Sequence, residues 1–390
     1  MKKRLLYIVH SLPFGGIEKV LQNICTFLDK EKYEIHIACL CGRGENAVNF
    51  ENAGVSIKVF SGKSSLNPIY AVRNTLTFLK LALFIRRLNP HVVQCEMFYS
   101  GTLGRIGAWL SSTPVILYGI HNVYLWKGKI ALLIEHYLAG ITTRLICPSH
   151  TVARAASDSA HIPLSKFSII PNGIILSPIT KTETSEFFRA GKKANDTGEK
   201  LVLCFCGRMV PKKRPEFVVS ILREFIKRKI NCHLIMVGNG PLLSELKEST
   251  KDLKDYITFT GSLEDPSSII RNCQIVVIPS DREGFCIVTG EALIQKTPVL
   301  MMKLPVLKEC WDFCPDLWFL NSHSPSVWGD RVLEILSKEN REILDGQLNK
   351  ARKAILTKYT VKEMCNKYET LYSRKNEALI KGKDVILQGK

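Results

Sequence analysis

These 390 residues contain no run of about 18 uninterrupted apolar side chains, so none reads as a membrane-spanning helix. The two best candidates, 76–85 and 130–147, are broken by Lys80 and by Glu135, His136 and Arg144. No C-x-x-C pair and no zinc-like spacing occurs among the 13 cysteines, an odd and scattered set. Cys39, Cys41, Cys204 and Cys206 lie in or beside strand-like apolar runs, where thiols act as small hydrophobes. Reduced, buried cysteines and a cytoplasmic location are therefore expected. There is also no G-x-G-x-x-G turn and no D-x-D triplet. The opening MKKRLLYIVHSLPFGG has the basic start of a signal peptide. Its apolar stretch is short, includes His10 and lacks a small-x-small cleavage site, so a first β-strand is the better reading.

What is abundant is positive charge. Lys and Arg number 54 against 36 Asp and Glu, a formal charge of +18. Up to residue 180 there are 19 basic and 9 acidic residues, so the first half is the more one-sided. Such a balance favours phosphates, nucleic acid or an anionic membrane face as partner. The basic side chains Lys2, Lys3, Arg4, Arg86, Arg87, Arg105, Lys127 and Lys129 are the ones that could face lipid headgroups. A peripheral position at the inner face of the cytoplasmic membrane is compatible with them, as is a merely solubilising excess of charge.

Hydrophobicity of 46% is ordinary for globular protein, and the length suggests more than one domain. Apolar runs at 4–10, 34–40, 55–60, 91–95, 114–119 and 144–148 alternate with helical segments such as 16–30 and 70–88. Alternation of this kind predicts a parallel sheet covered by helices on both faces. The pattern restarts at 201–206 (LVLCFC) and continues at 232–237, 256–259, 275–278 and 298–302. The expected organisation is a first α/β domain over 1–178, a polar linker over 179–200 and a second α/β domain over 201–360. Helical sequence follows, and 361–390 is a closing helix and tail for which packing back on the first domain is one arrangement. Two doubly wound, Rossmann-like halves would bind ligand in the cleft between them, beyond the carboxyl ends of their strands.

Three segments sit at such strand ends. Gly15-Gly16 follows the first strand and opens a helix, where backbone amides can approach an anion. Taken alone it is as readily a tight turn without ligand. GRMVPKKRP (207–215) places four basic residues in seven positions, with Arg208 offering a planar fork and Lys213 a point charge to phosphate oxygens. DREGFCIVTGEA (281–292) carries two glutamates, with Glu283 on a loop and Glu291 inside a helix that starts near Cys286. On spacing alone these are equally two surface acids beside an ordinary helix.

Taken together, the segments resemble glycosyltransferase family 4, the retaining nucleotide-sugar transferases of GT-B fold. GRMVPKKRP resembles that family's G-R-x-x-x-x-K-G phosphate loop, and EGFCIVTGEA its E-G-F-x-x-x-x-x-E-A signature. VGNGP (237–241), FTGSL (259–263), PSH (148–150) and IIPNGI (169–174) are similar to lesser motifs of the family. The resemblance implies that Arg208 and Lys213 hold the donor diphosphate, with Gly15 and Gly16 closing on it. It implies that Glu283, with Gly284 and Phe285 amides beside it, bonds the donor sugar. Glu291, Gly238 and Thr260 would face the nucleoside. His121, in GIHN, matches a family histidine near the reacting sugar; without the resemblance it is a loop histidine held by hydrogen bonds.

Three departures stand out. Arg214 occupies the place of the phosphate loop's final glycine, and Gly290 interrupts the helix before Glu291. Beyond 303, LPVLKECWDFCPDLWFL lacks the usual glycine-rich loop.

The resemblance implies transfer of a hexose or N-acetylhexosamine from a UDP- or GDP-sugar to a glycan or lipid-linked acceptor in envelope polysaccharide biosynthesis. No cofactor and no metal are expected, because cationic side chains and helix dipoles can stabilise a diphosphate leaving group. A nucleotide-sugar epimerase of the same architecture is the alternative. A nucleic-acid binder rests on charge alone, since aromatics are not interleaved with the basic clusters, and nucleic acid is not expected as a partner.

Overall fold

The structure, a computed structural model, describes residues 2–62, 71–123, 128–176 and 200–373. Most of the expected linker, Lys127 and the tail from 374 lie outside the described residues. The chain divides into two compact units. One takes in the described residues up to Gly173 together with those from Val361, and the other runs Ile174–Thr360.

The first unit is built on a seven-stranded parallel sheet of β1 (Lys3–Val9), β2 (Tyr33–Cys39), β3 (Ser56–Val59), β4 (Val92–Glu96), β5 (Val115–Gly119), β6 (Arg144–Cys147) and β7 (Phe167–Ile169). Their spatial order is β3-β2-β1-β4-β5-β6-β7. The second unit holds six parallel strands, β8 (Leu201–Cys206), β9 (Cys232–Val237), β10 (Ile257–Gly261), β11 (Ile275–Ile278), β12 (Val299–Met302) and β13 (Phe319–Leu320), in the order β10-β9-β8-β11-β12-β13. Both are doubly wound. Central strands of such sheets are covered on both faces and read as unbroken apolar runs, as LLYIV of β1 and IVVI of β11 do.

In each sheet the order reverses beside the first strand, between β1 and β4 and between β8 and β11. Registers such as Leu5↔Val92 and Ile275↔Leu203 bring the carboxyl ends of these pairs level. Loops leaving the two strands diverge there, and the gap between them is where ligands of open α/β sheets bind. Right-handed crossovers put the helices Ala71–Leu88, Phe98–Leu110 and Lys129–Ile141 on one face of the first sheet, while Gly16–Phe27 covers the other.

The helix Val361–Tyr372 packs against Gly16–Phe27, and its Tyr372 hydroxyl meets that of Tyr7 at 2.6 Å in the core. Gly173 is needed for this docking, because a Cβ there would lie 2.6 Å from Val361 Cα. All 13 cysteines are free thiols, 11 of them buried.

One basic residue expected on the surface is not there. Arg105 is fully buried, its Nη2 lying 2.7 Å from Glu135 Oε2 and its guanidinium stacked 3.9 Å from the centre of the Tyr118 ring. Its neighbours in sequence are small or apolar, but a buried acid one helix away gives it a reason to turn inward.

Candidate functional site

In the second unit, the turn after β8 and the loop after β11 meet at the switch point. The backbone N–H of Asp281 donates to the Lys212 carbonyl at 2.9 Å, tying one loop to the other. This brings the Lys213 ammonium to 2.5 Å from Glu283 Oε1, across 70 positions of sequence. Glu283 is buried, and Lys213 retains 23% of its side-chain exposure. Burial would lower the Lys213 pKa, but the Glu283 carboxylate more than offsets it and leaves the lysine above its ordinary value. Lys212, lacking such a contact, is held below its ordinary value by burial and by the neighbouring Lys213 charge. Arg208 is exposed and makes no side-chain hydrogen bond or ion pair with the described residues. The cluster thus offers one uncommitted guanidinium beside a lysine already neutralised by a carboxylate.

Arg214 takes the left-handed backbone conformation, with φ 51° and ψ 50°. A glycine would adopt it without strain; here the arginine is held by its own side chain. Its guanidinium lies 4.5 Å from the Phe217 ring centre, 3.5 Å from Asp281, and hydrogen-bonds with His323. The loop therefore has the shape a terminal glycine would allow, and the helix Pro215–Lys227 starts directly after it.

The backing of this loop explains Gly238 and Gly240. Gly238 has φ +130°, and a Cβ there would fall 2.1 Å from the Gly207 carbonyl oxygen. At Gly240 the same construction meets Met209 O at 2.4 Å. Backbone bonds from Gly207 to Val237 and from Met209 to Asn239, each 2.9 Å, hold the two turns together. Gly238 thus has a scaffolding reason that needs no ligand. Thr260, near the end of β10, spends its hydroxyl on the Gly261 carbonyl at 2.9 Å.

Cys286, also left-handed at φ 62°, caps the helix Ile287–Ile294. Burial and the adjacent Glu283 push its thiol pKa up to about 12, so it is no ready nucleophile. Gly284 and Phe285 are buried beside Glu283. The Phe285 ring faces inward against Trp311, 5.0 Å between centres, and Tyr359, 5.2 Å, while its carbonyl accepts from Trp311 Nε1 at 2.9 Å. The segment past 303 thus forms the short helix Pro305–Cys310 and supplies Trp311 as the floor of the Glu283 loop. Glu291 is buried one turn into its helix. Gly290 before it has a packing cause, since a Cβ would lie 2.7 Å from the Ile174 side chain and 2.9 Å from Trp311.

In the first unit, Gly15 and Gly16 are exposed at the start of the helix Gly16–Phe27, after β1. Gly15 is extended at φ −172°, and a Cβ there would meet the Glu18 carboxylate at 2.5 Å. His121 follows β5, with Nε2 2.6 Å from Glu96 Oε2 at the end of β4. Burial would lower the His121 pKa; Glu96 and, more weakly, Glu18 outweigh it and raise the imidazole above its ordinary value. Glu96 is itself oriented by Gln94, whose Nε2 donates to Oε1 at 2.7 Å. Gly119 leaves room for the pair, as a Cβ there would collide with both Glu96 and His121.

Glu96 escaped the sequence reading. Its one signal was a glutamate and a glutamine, VVQCE, in a strand buried along its whole length. Of the lesser motifs, Ser149 in PSH caps the helix His150–Ala160, its hydroxyl accepting from Val152 N at 3.2 Å. Among the described residues no group of three or more His, Cys, Asp or Glu side chains converges as a metal site would need.

Two family models match the chain. Residues 14–177 match "Glycosyltransferase Family 4" and residues 200–338 match "Glycosyl transferases group 1". A relative from Escherichia coli, named UDP-Gal:alpha-D-GlcNAc-diphosphoundecaprenol alpha-1,3-galactosyltransferase, is 24% identical over 87% of this chain and 92% of its own length. The Staphylococcus aureus capsular polysaccharide biosynthesis glycosyltransferase CapM is 23% identical over 75% of this chain and 78% of its own. Among solved structures, Anabaena Alr3699/HepE in complex with UDP and glucose superposes with a TM-score of 0.79 at 16% identity, covering 95% of this chain and 99% of that one.

Proposed function

As this chain belongs to the glycosyltransferases of family 4, we propose that it moves a hexose or N-acetylhexosamine from a nucleoside-diphosphate sugar to a lipid-linked or glycan acceptor in envelope polysaccharide biosynthesis. The observation that supports the donor assignment is the Lys213–Glu283 pair at the switch point of the second sheet, on the same turn after β8 that carries the exposed Arg208. A phosphate needs cations and backbone donors, and a sugar needs a fixed carboxylate; this site has both within one loop pair. The names of the E. coli and S. aureus relatives support the acceptor class and favour transfer over epimerisation.

In this reading Arg208 and Lys213 bind the diphosphate. When it arrives, Lys213 divides its hydrogen bonds between phosphate and Glu283, which keeps the carboxylate oriented toward the sugar hydroxyls. Glu291 takes the ribose, and the first amides of the helix Ile287–Ile294 face the anion. The bond from the anomeric carbon to the diphosphate oxygen breaks, and a bond to the acceptor oxygen forms on the same face. The acceptor proton passes to the departing phosphate, so the anomeric configuration is retained. Cationic side chains carry the charge that a metal ion supplies in transferases with a D-x-D triplet, which this sequence lacks. His121, polarised by Glu96, donates toward an oxygen of the reacting sugar.

The test is incubation of the full chain with UDP- and GDP-hexoses and a polyprenyl-diphosphate-linked N-acetylhexosamine, with products read by mass spectrometry and anomeric coupling by NMR. A transferred sugar with its donor configuration, formed equally in the presence of a chelator, is the expected result. Interconversion of the donor sugar without any transfer would overturn it.

A further inference from the structure

Of the 20 exposed large hydrophobic side chains among the described residues, nine lie on just three helices of the first unit. These are Ala71–Leu88, Phe98–Leu110 and Lys129–Ile141, which pack side by side on one face of the sheet. On the first helix Val72, Leu76, Leu79 and Leu83 recur at intervals of four, three and four, one stripe of an α-helix. The opposite stripe, Thr77, Leu81 and Ile85, is buried, so the helix is apolar on both sides, and only one side has a core to enter. On the third helix Ile130, Leu133 and Tyr137 form a second outward stripe, with Ile130 75% and Tyr137 70% exposed. Trp109 and Leu110 end the helix between them. Scattered exposed hydrophobics need no explanation, whereas outward stripes on two of three helices that share one face of a sheet do.

Charge decides what covers this face. Arg73, Lys80, Arg86 and Arg87 are exposed on the first helix, which contains no acidic residue, and Lys129 is exposed on the third. The one acid on the three helices, Glu135, is buried against Arg105. The outer surface therefore carries five cations and no anion. A second copy of the chain would set five positive charges against five, which opposes a two-fold dimer through this face. An anionic bilayer satisfies both features, since headgroups neutralise the cations and acyl chains receive the apolar stripes. No described helix is long and apolar enough to cross a membrane, which leaves an interfacial mode.

We propose that the outer face of these three helices is the surface by which the protein docks on anionic lipid, with Leu76, Leu79, Leu83, Ile130 and Leu133 entering the interface and Arg86, Arg87 and Lys129 pairing with headgroups. This does not rest on the donor assignment. It differs from a charge-only surface in which Arg4 and Arg105 take part: Arg105 is buried, and Arg4 lies on β1, outside these three helices.

The full chain is floated with phosphatidylcholine vesicles with and without phosphatidylglycerol, at low and high salt. Wild type floats with the anionic vesicles, and high salt weakens binding without abolishing it. Each cation near an anionic surface is worth about fivefold in partitioning, so Arg86→Gln with Arg87→Gln lowers binding roughly 25-fold. Leu79→Ser with Leu83→Ser lowers it about tenfold or more and removes the part that survives high salt. Both variants keep the wild-type melting temperature and its upward shift with UDP, because the changed side chains are exposed. No flotation of wild type, flotation undiminished in both variants, or a wild-type dimer by light scattering that Leu79→Ser with Leu83→Ser dissolves would each overturn the proposal.

Discussion

Lys213 and Glu283 make one contact, at 2.5 Å, between two groups assigned to different parts of the donor, so separating them tests both roles. Lys213→Ala leaves a carboxylate of 6% exposure without its cation. Removing one partner of a buried pair costs about 3–5 kcal/mol, and the partly exposed lysine places this pair near the lower end, about 3 kcal/mol. At about 2–4 °C per kcal/mol for a unit of this size, the transition of Ile174–Thr360 should fall by roughly 6–12 °C. Glu283→Gln keeps the shape and lets the lysine turn to water, so about 1–2 kcal/mol is expected. Lys213→Met with Glu283→Gln removes both charges and should recover part of the loss, with a coupling of about 1–3 kcal/mol. Nucleotide binding separates the roles. A hydrogen bond to a charged group is worth about 1.5–3 kcal/mol, so Lys213→Ala should weaken UDP or GDP binding about 10- to 100-fold by calorimetry. Glu283→Gln frees the lysine and should leave that affinity equal or higher while abolishing turnover. Equal loss of nucleotide affinity in the two single variants, or no loss of melting temperature in Lys213→Ala, would refute this reasoning.

Other consequences can be measured directly. Gly238→Ala forces a side chain at φ +130° toward the Gly207 carbonyl, and a loss of at least about 1–3 kcal/mol in chemical denaturation is expected, together with weaker UDP binding as the phosphate loop shifts. His121 is raised in the folded state, so its contribution to stability is fully present below the unfolded pKa of about 6.5 and lost as pH rises through the folded value. Glu96→Gln should flatten that dependence and lower the His121 titration midpoint seen by NMR; an unmoved midpoint would rule out Glu96 as its source. Arg105→Met strands Glu135 in the core and should cost about 3–5 kcal/mol, whereas Arg105→Met with Glu135→Met should cost clearly less.

Much of the architecture was legible because parallel strands buried on both faces announce themselves as apolar runs. LVLCFC, CHLIMV and IVVI stand where the runs placed them, and a helix begins just after Cys286 as expected. The three-residue β7 and two-residue β13 were missed, since strands so short show no periodicity. Arg214 looked like a break in the phosphate loop, yet Phe217, Asp281 and His323 hold it in the conformation glycine would take. Arg105 looked like a surface charge and is a core residue. Gly290 looked like a weak point and is a close contact.

The sequence alone determined what is local: which segments become strands, which turns carry glycine or cations, and which family's motifs they resemble. It could not say which of its charges were already spent. Lys213 on Glu283, His121 on Glu96 and Arg105 on Glu135 are partnerships across 25 to 70 positions, set by which strand ends and helices the sheet order makes neighbours. Nor could it show that two apolar stripes, each unremarkable on its own helix, flank a third helix on the outside of one face. Coulomb attraction and apolar burial depend on distance in space, and only the fold converts distance along the chain into that.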